Sequence, residues 1–433
     1  MKKQLFPSLL EGPIALPRSK SHAIRGLILA ALADTPSTIE HLPSSSDVLS
    51  CISCLRNLGV SIDTNGTTTN ISGGLLKTID SKRKSPVPLL LDCGNSGTTL
   101  FILTATIALA SQNISLDGDS SLRLRSAKEL LNALTMLGVL VESGPTPPYR
   151  ITGPITNSTC SISCPTSQFL TALLITLPFA PVDTTIEVTS LTEIPYVHMT
   201  LSWLDRCGIQ YSRTNLEQFS IQGQQSINAF KATIGRDASA ASFFACAAIL
   251  QKSELTLLDL DLDDNQGDFA LFDLLEEQGC TITKQKNASG TTDLTIDGSG
   301  FIGSSQVNLE HMPDAVPAYA VLATKAEKPT TITNIAHVRR KECDRIHAIE
   351  TELTKMGIET KSTPDSLTII PGPLKGASLD GHSDHRILMA CTIAALAADR
   401  PSTIGNAQDA AITYPSFYED LEALGARIET SRE

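Results

Sequence analysis

The sequence predicts an α/β protein built from six repeats of one strand-helix-strand-helix-strand unit. Two observations carry this prediction. A glycine closes an amphipathic segment six times, at intervals of 79, 70, 71, 78 and 68 residues. Strand patterns also alternate with helix patterns throughout the chain, which is typical of α/β folds. The six glycines are Gly59, Gly138, Gly208, Gly279, Gly357 and Gly425.

Each repeat contains two helices of different character. The first helix is apolar nearly all round, which predicts a buried helix, and the second is amphipathic and ends at the glycine. A Thr-Ile, Thr-Leu or Ser-Leu pair between the two helices predicts a strand, and short polar hairpins complete several units. The predicted first helices contain residues 27–33, 100–110, 169–180, 240–250, 315–324 and 387–398.

The length of 433 residues exceeds what one hydrophobic core normally supports, so two domains of three repeats each are expected. No Gly/Ser-rich or Pro-rich linker separates them. The best boundary lies near 230–235. We therefore predict one domain from 20–235 and a second from 1–19 plus 236–433, and the chain crosses twice if its first strand completes the last repeat.

Composition excludes several classes of function. A net charge of −12 argues against nucleic acid as the main partner, and no apolar run is long enough to suggest a membrane span. The N-terminus lacks a signal-peptide pattern, so we expect a cytoplasmic protein. The ten cysteines are scattered in apolar segments, and we interpret the Cys51-x-x-Cys54 pair as part of the core. No metal-ligand spacing and no dinucleotide fingerprint is present, which predicts no metal and no cofactor.

Polar residues stand immediately before each predicted buried helix. Because helix N-termini attract anions, we interpret these segments as six potential anion sites. They are Arg18-Ser-Lys-Ser-His-Ala-Ile-Arg25, Gly94-Asn-Ser-Gly-Thr98, Pro165-Thr-Ser-Gln168, Gly235-Arg-Asp-Ala-Ser239, His311-Met-Pro-Asp314 and Ser383-Asp-His-Arg386.

Individual residues in these segments leave alternatives open. Lys20 suits a phosphate or carboxylate, and we expect it to be an unpaired cation that contributes little to folding. Asp314 is either a helix N-cap or a catalytic group. Glu342 is either an ion-pair partner of Lys341 or Arg345 or a group that handles protons.

Further motifs are Pro17 with the run to Leu32, Leu122-Arg-Leu-Arg125, Pro195-Tyr196 and Arg340-Lys-Glu-Cys-Asp-Arg345. Together with segments that precede the buried helices they make nine segments, which resemble, in order from end to end, the 5-enolpyruvylshikimate-3-phosphate synthase family. The resemblance implies an inside-out, barrel-like α/β fold of two domains, each with three βαβαββ units and with the active site in the cleft between them. It implies transfer of an enolpyruvyl group from phosphoenolpyruvate to shikimate 3-phosphate without a cofactor. We expect the protein to be a monomer.

The resemblance also assigns roles to residues. Asp314 is the expected base, and Glu342 and Lys20 are candidates for proton delivery. Gly97 borders the phosphoenolpyruvate site, which implies sensitivity to the competitive family inhibitor glyphosate. His385 is either a capping residue or a proton carrier. The substrate-binding residues implied are Lys20, Ser21, Arg25, Asn95, Gly97, Thr98, Arg125, Thr166, Ser167, Gln168, Tyr196, Asp314, Lys341, Arg345, His385 and Arg386.

The chain departs from the family pattern at several positions. Arg18 replaces a glycine, Ser126 a proline and His337 an asparagine, while Ile412 stands where many members have a lysine. Glu193 replaces a serine that often binds the phosphate of shikimate 3-phosphate. Because an acidic group would repel that phosphate, we expect Glu193 to point away.

Two other functions remain as alternatives. The sister transferase that acts on UDP-N-acetylglucosamine characteristically uses a Cys in a mobile loop near the position of Arg125, but this chain has no cysteine between Cys93 and Cys160. A non-catalytic anion-binding repeat protein would keep the scaffold alone. The presence of Asp314 and Glu342 together with the cations argues against that function.

Overall fold

A computed structural model describes residues 1–81 and 89–431, and it divides into two compact units. One unit contains Met1–Pro17 and Gly235–Glu433, and the other contains Arg18–Ile234. The chain passes between the units twice, after Pro17 and after Ile234. The domain boundaries predicted from the sequence put these crossings after residues 19 and 235.

The described residues form six separate four-stranded sheets, three in each unit, and none of these sheets closes into a barrel. In the unit Arg18–Ile234 the strands of the first sheet are, in sheet order, β14 (Lys231–Thr233), β3 (Ser37–Glu40), β5 (Thr68–Ile71) and β4 (Ile62–Asn65). The second sheet contains β6 (Leu89–Asp92), β7 (Asn113–Asp117), β9 (Tyr149–Thr152) and β8 (Leu140–Glu142). The third sheet contains β10 (Thr159–Cys164), β11 (Thr184–Leu191), β13 (Gln218–Ile221) and β12 (Tyr211–Thr214).

The other unit repeats this plan. The strands of its first sheet are, in sheet order, β2 (Gly12–Ile14), β15 (Glu254–Leu260), β17 (Thr292–Asp297) and β16 (Thr281–Lys286). The second sheet contains β18 (Gln306–Asn308), β19 (Thr330–Thr333), β21 (Ser366–Ile369) and β20 (Thr360–Thr363). The third sheet contains β22 (Ser378–Leu379), β23 (Ser402–Ile404), β1 (Lys2–Leu5) and β24 (Ile428–Ser431).

Every sheet combines one parallel pair with two antiparallel pairs, as expected for a βαβαββ unit. Three sheets are completed by strands distant in sequence. β14 lies parallel to β3, β2 lies parallel to β15, and β1 lies antiparallel to both β23 and β24. The first strand of the chain therefore belongs to the sheet of the last repeat.

Each repeat contributes one buried and one amphipathic helix. The buried helices are α1 (Lys20–Leu32), α4 (Gly97–Thr106), α6 (Ser167–Thr176), α8 (Ala238–Gln251), α10 (Val316–Leu322) and α12 (His385–Leu396). The amphipathic helices are α2 (Ser46–Asn57), α5 (Lys128–Met136), α7 (Ile194–Arg206), α9 (Ala270–Glu277), α11 (Arg345–Lys355) and α13 (Phe417–Ala423). An additional helix, α3 (Leu75–Ser81), is not predicted by the repeat.

The six repeat glycines follow the amphipathic helices and have left-handed backbone conformations, with φ between 72° at Gly208 and 109° at Gly425. Side chains with a Cβ atom rarely adopt such angles, which explains why the repeat uses glycine there. The prediction that these glycines terminate the second helices is confirmed.

Each unit has its own hydrophobic core, in which the buried helices pack against the inner faces of the sheets. All ten cysteines are free thiols, and Cys51 and Cys54 are buried in α2. In the described part of the chain, no helix combines the length and apolar character that crossing a membrane requires.

Candidate active site

Lys20 is the first residue of α1, and it forms a buried ion pair. Its Nζ atom donates a hydrogen bond of 2.5 Å to Oδ2 of Asp47, which lies in the first turn of α2. The expectation of an unpaired cation is therefore wrong. The pair places a positive charge at a helix N-terminus and leaves a buried carboxylate dependent on it.

Arg25 lies one turn further along α1 and is only 1% exposed. Its guanidinium donates to the hydroxyls of Thr200 (2.9 Å) and Thr171 (3.3 Å) and to the carbonyl oxygens of Ser21 (2.9 Å) and Tyr196 (3.2 Å). Burial lowers the pKa of Arg25 to about 10, while the nearby Tyr196 and Glu193 groups oppose this shift. The direct hydrogen-bond partners of Arg25 are neutral groups, and the Glu193 carboxylate is the nearby negative charge that this buried cation favours.

A second group of predicted residues meets where α4 begins. Nη2 of Arg125 donates to Oδ1 of Asn95 (3.1 Å), and Nε2 of Gln168 donates to the hydroxyl of Thr98 (3.0 Å). A Cβ atom added at Gly97 would lie 2.8 Å from Nη1 of Arg125 and 3.6 Å from Oε1 of Gln168. The structure thus brings Asn95, Gly97, Thr98, Arg125 and Gln168 together around one helix N-terminus.

The N-terminus of α6 is occupied by the side chain of Glu193. Oε2 of Glu193 accepts hydrogen bonds from the backbone N–H of Ser167 (3.0 Å), the hydroxyl of Ser167 (2.8 Å) and the hydroxyl of Thr166 (3.1 Å). Glu193 is 1% exposed and has a left-handed backbone, with φ of 57°. The expectation that it points away is wrong, because the helix dipole and three donors stabilise a carboxylate at this position.

In the other unit, Arg345 connects three carboxylates. Nη1 lies 2.7 Å from Oδ1 of Asp314, Nη2 lies 2.9 Å from Oε2 of Glu342, and Nε lies 2.8 Å from Oδ2 of Asp384. Nη1 also donates to the carbonyl of Pro313 (3.2 Å), and Nη2 to Oδ1 of Asp384 (3.4 Å). Of the alternatives for Glu342, the ion pair with Arg345 is present. All five N–H groups of Arg345 have acceptors within the protein.

Asp314 lies between two arginines. Its Oδ2 atom accepts from Nη2 of Arg386 (3.2 Å), while its Oδ1 atom accepts from Arg345. Burial alone would raise the pKa of Asp314, but the positive charges of Arg386, Arg345 and Lys341 hold it well below its ordinary range. Asp314 is therefore ionised at neutral pH, as a proton acceptor must be.

Two capping interpretations are wrong. Asp314 is not the N-cap of α10, since that helix begins at Val316 and Ala315 precedes it. His385 is the first residue of α12, and Asp384 caps this helix by accepting from the backbone N–H of Arg386 (2.8 Å).

The interpretation of six open anion sites also needs correction. The N-termini of α6, α8 and α12 are occupied by Glu193, Asp237 and Asp384, respectively. A carboxylate in the same chain satisfies the exposed N–H groups without the entropy loss of binding an ion. Other helices, such as α4, use a neutral cap, which is Ser96.

Arg386 shares several of these acidic neighbours. Its Nη2 atom lies 4.0 Å from Oδ1 of Asp237, and its guanidinium lies 5.8 Å from the ring centre of Phe243. Burial lowers the pKa of Arg386, but Asp314 and Asp237 outweigh this effect and raise it. Arg386 therefore stays charged although it is buried.

Sequence reasoning missed several residues of these clusters. Asp47 and Asp384 hold the predicted cations, and both stand in polar stretches at helix starts that carry a recognisable capping pattern. Asp268, whose carboxylate accepts from Ser239, is buried; burial and then the charge of Asp314 raise its pKa to about 7. The pattern around Asp268 contains no signal that distinguishes it from a surface residue.

Among residues 1–81 and 89–431, no group of three or more His, Cys, Asp or Glu side chains has the arrangement of a metal site. The charged groups of the clusters are instead held by one another. Cations of this kind can bind anions, and carboxylates can accept or donate protons.

Comparison with known proteins relates the chain to one family. The family model of EPSP synthase (3-phosphoshikimate 1-carboxyvinyltransferase) matches residues 6–421. The protein of that name from Ruminiclostridium cellulolyticum is 36% identical over 424 residues, which cover 97% of both chains. Its counterpart from Methanocella arvoryzae is 38% identical over 423 residues, which cover 96% of this chain and 97% of the relative.

Solved structures share the fold. EPSP synthase from Acinetobacter baumannii superposes with a TM-score of 0.79 at 24% identity, with all of both chains covered. The enolpyruvyl transferase NikO from Streptomyces tendae gives a TM-score of 0.75 at 19% identity, covering 99% of this chain and 98% of the other. With a family match across nearly the whole sequence and relatives above one-third identity, the chain belongs to the EPSP synthase (3-phosphoshikimate 1-carboxyvinyltransferase) family.

Proposed function

We propose that this protein transfers the enolpyruvyl group of phosphoenolpyruvate to the 5-hydroxyl of shikimate 3-phosphate and releases inorganic phosphate. The reaction belongs to the shikimate pathway and leads toward the aromatic amino acids. The observation that supports it best is the ionised Asp314 carboxylate between Arg345 and Arg386. It places a proton acceptor directly beside two arginine side chains.

The reaction has two stages. A proton adds to the methylene carbon of phosphoenolpyruvate, and the 5-hydroxyl oxygen bonds to the adjacent carbon as its own proton leaves. The resulting tetrahedral intermediate then loses a proton from the new methyl group and expels phosphate, which restores the carbon-carbon double bond. Atoms balance, and no oxidant, reductant or cofactor is required.

Asp314 takes the proton of the 5-hydroxyl in this proposal. Its depressed pKa keeps it ionised, and its two arginine neighbours hold both carboxylate oxygens in fixed positions. Such positioning contributes to catalysis because the acceptor is already oriented before the hydroxyl loses its proton.

Lys20 and Glu342 are the candidates for delivering the proton to phosphoenolpyruvate. Lys20 donates to Asp47, and Glu342 accepts from Arg345, so each is oriented by a partner of opposite charge. Two variants distinguish these candidates. Glu342→Gln removes an acid without changing any cation. Lys20→Arg keeps the positive charge, but the arginine side chain binds its proton more tightly than lysine does.

Anion binding by the remaining residues supports the same function. We propose that Arg125, Gly97 and Gln168 serve phosphoenolpyruvate together with Lys20, Arg345 and Arg386. Ser21, Arg25, Thr166, Ser167, Tyr196 and Lys341 would serve shikimate 3-phosphate, with Asn95, Thr98 and His385 as further contacts. Charge-assisted hydrogen bonds of this kind stabilise the substrates and also the departing phosphate.

The test is release of phosphate from phosphoenolpyruvate, measured with shikimate 3-phosphate, with unphosphorylated shikimate, with UDP-N-acetylglucosamine and with no acceptor. We expect rapid release only with shikimate 3-phosphate. Release only with UDP-N-acetylglucosamine would identify the sister transferase, and no release by folded protein would favour the non-catalytic repeat protein. Asp314→Asn serves as the matched inactive control.

We further propose that the enzyme acts as a cytoplasmic monomer. Light scattering after size-exclusion chromatography tests the monomer, and fractionation of the source cells tests the location.

A further inference from the structure

Glu193 occupies the N-terminus of α6, a helix end of the kind that suits a phosphate. The proposed function assigns Thr166 and Ser167, which lie at this helix end, to shikimate 3-phosphate. In the structure both residues donate to a single oxygen of Glu193. A buried carboxylate and a phosphate cannot both use the same three donors.

We propose that Glu193 is an intramolecular anion that competes with the phosphate of shikimate 3-phosphate for the N-terminus of α6, and so sets the affinity for that substrate. This inference rests on the proposed function for the identity of the substrate. It makes Glu193 a specificity-determining residue for this substrate.

The geometry supports competition rather than a simple capping role. Thr166 already caps α6 by accepting from the backbone N–H of Gln168 (3.4 Å), so the helix has a local cap without Glu193. Glu193 reaches the same helix end from a distant segment, the start of α7, and does so from a left-handed backbone. Non-glycine residues adopt that conformation at an energetic cost.

Charge supports the same inference. Glu193 is close enough to Arg25 to raise its pKa against the effect of burial. Because the hydrogen bonds of Arg25 go to hydroxyls and carbonyls, Glu193 supplies negative charge to a cation that is predicted to attract the substrate. An entering phosphate must displace this carboxylate, and displacement weakens apparent binding.

Calorimetric titration with shikimate 3-phosphate and with unphosphorylated shikimate tests the proposal. The variants are Glu193→Gln, which keeps shape and loses charge, and Glu193→Ser, which also removes bulk. Glu187→Gln is the matched control, because Glu187 lies on the exposed side of β11 in the same unit. Thermal unfolding establishes that each variant is folded.

We expect both Glu193 variants to bind shikimate 3-phosphate about tenfold more tightly or better, equivalent to about 1.4 kcal/mol. Shikimate, which lacks the phosphate, should bind the variants and the parent protein alike. The Glu187 variant should match the parent for both ligands. Unchanged or weaker binding of shikimate 3-phosphate, or an equal gain for shikimate, would overturn the proposal.

Inorganic phosphate separates this inference from the proposed function. If the parent protein does not turn over shikimate 3-phosphate, but phosphate binds Glu193→Gln more tightly than the parent, the proposed function fails and the competition stands. If turnover is normal and phosphate binds both proteins equally, the function stands and the competition fails.

Discussion

Nζ of Lys20 lies 2.5 Å from Oδ2 of Asp47, and both side chains are almost completely buried. A buried ion pair of this kind does two things at once. It orients the ammonium group, and it makes the fold depend on a residue that we propose takes part in catalysis.

Replacing Lys20 by Met should abolish turnover and also destabilise the protein. Asp47 would become a buried carboxylate without its partner, a change that costs about 3–5 kcal/mol in comparable cases. Urea denaturation and the turnover rate measure the two effects separately.

The double variant Lys20→Met with Asp47→Asn provides the control. Neutralising Asp47 removes the unpaired buried charge, so stability should largely return while turnover stays lost. A Lys20→Met protein as stable as the parent would show that the pair does not form in solution, and normal turnover would remove Lys20 from the site.

Asp314→Asn should lower kcat by about two orders of magnitude or more, because an amide cannot accept the hydroxyl proton. The KM for phosphoenolpyruvate should stay the same or fall, since Arg345 and Arg386 lose a competing negative charge. Steady-state kinetics test this division between kcat and KM. A lower affinity with unchanged kcat would assign Asp314 to binding alone.

The low pKa of Asp314 also predicts a pH dependence of stability. A carboxyl group whose pKa is lower in the folded state stabilises the fold above its unfolded pKa, near 3.9, and loses this effect as pH falls through its folded pKa. Because burial and then the charge of Asp314 raise the pKa of Asp268 to about 7, the comparison is made with Asp268→Asn as the reference. The difference in unfolding free energy between Asp268→Asn and the double variant Asp268→Asn with Asp314→Asn should be constant from pH 5 to 8 and change below about pH 4. Denaturation curves across this range measure it, and a change centred near pH 7 would contradict the assignment.

The pair of His382 and Glu352 should change stability with pH in the opposite direction. Nε2 of His382 lies 2.6 Å from Oε1 of Glu352, which raises the pKa of His382 against the effect of burial. The pair therefore stabilises the fold fully below about pH 6.5 and loses this effect as pH rises through the higher folded pKa. His382→Asn, which tolerates the left-handed backbone at this position, should cost about 1 kcal/mol at pH 6 and less at pH 9. An equal loss of unfolding free energy at both pH values would show that the charge of His382 does not contribute to stability.

Gly97→Ala should weaken the binding of glyphosate more than the binding of phosphoenolpyruvate. The added methyl group would lie 2.8 Å from Nη1 of Arg125, so the guanidinium must shift, and overpacking of this kind costs about 1–3 kcal/mol. The longer inhibitor has less room to adapt than the substrate. Inhibition constants for glyphosate beside the KM for phosphoenolpyruvate test this prediction, and equal losses for both ligands would contradict it.

The repeat architecture is readable from the sequence because it rests on local rules. Gly59 and its five counterparts require left-handed backbone, and the apolar runs such as 387–398 have no polar face to expose. The strands that complete distant sheets are harder to predict. β14, for example, is three residues long and pairs with β3 from the other end of its unit.

The cations of the clusters were predictable from the sequence, but several of their carboxylate partners were not. Short motifs identify Lys20, Arg345 and Arg386, whereas their partners Asp47 and Asp384 depend on how helices pack. Glu193 shows most clearly that the sequence does not predict the hydrogen-bond partners of a side chain. Repulsion from a bound phosphate predicts that it points away, but the donors at the N-terminus of α6 attract its carboxylate.

The most direct test of the enolpyruvyl transfer is proton and phosphorus NMR of one reaction mixture containing enzyme, phosphoenolpyruvate and shikimate 3-phosphate. The account predicts equal amounts of inorganic phosphate and of a product that keeps its 3-phosphate and carries the two vinyl protons of an enol ether at carbon 5. Phosphate release without loss of shikimate 3-phosphate, or an enolpyruvyl group on any other oxygen, would contradict it.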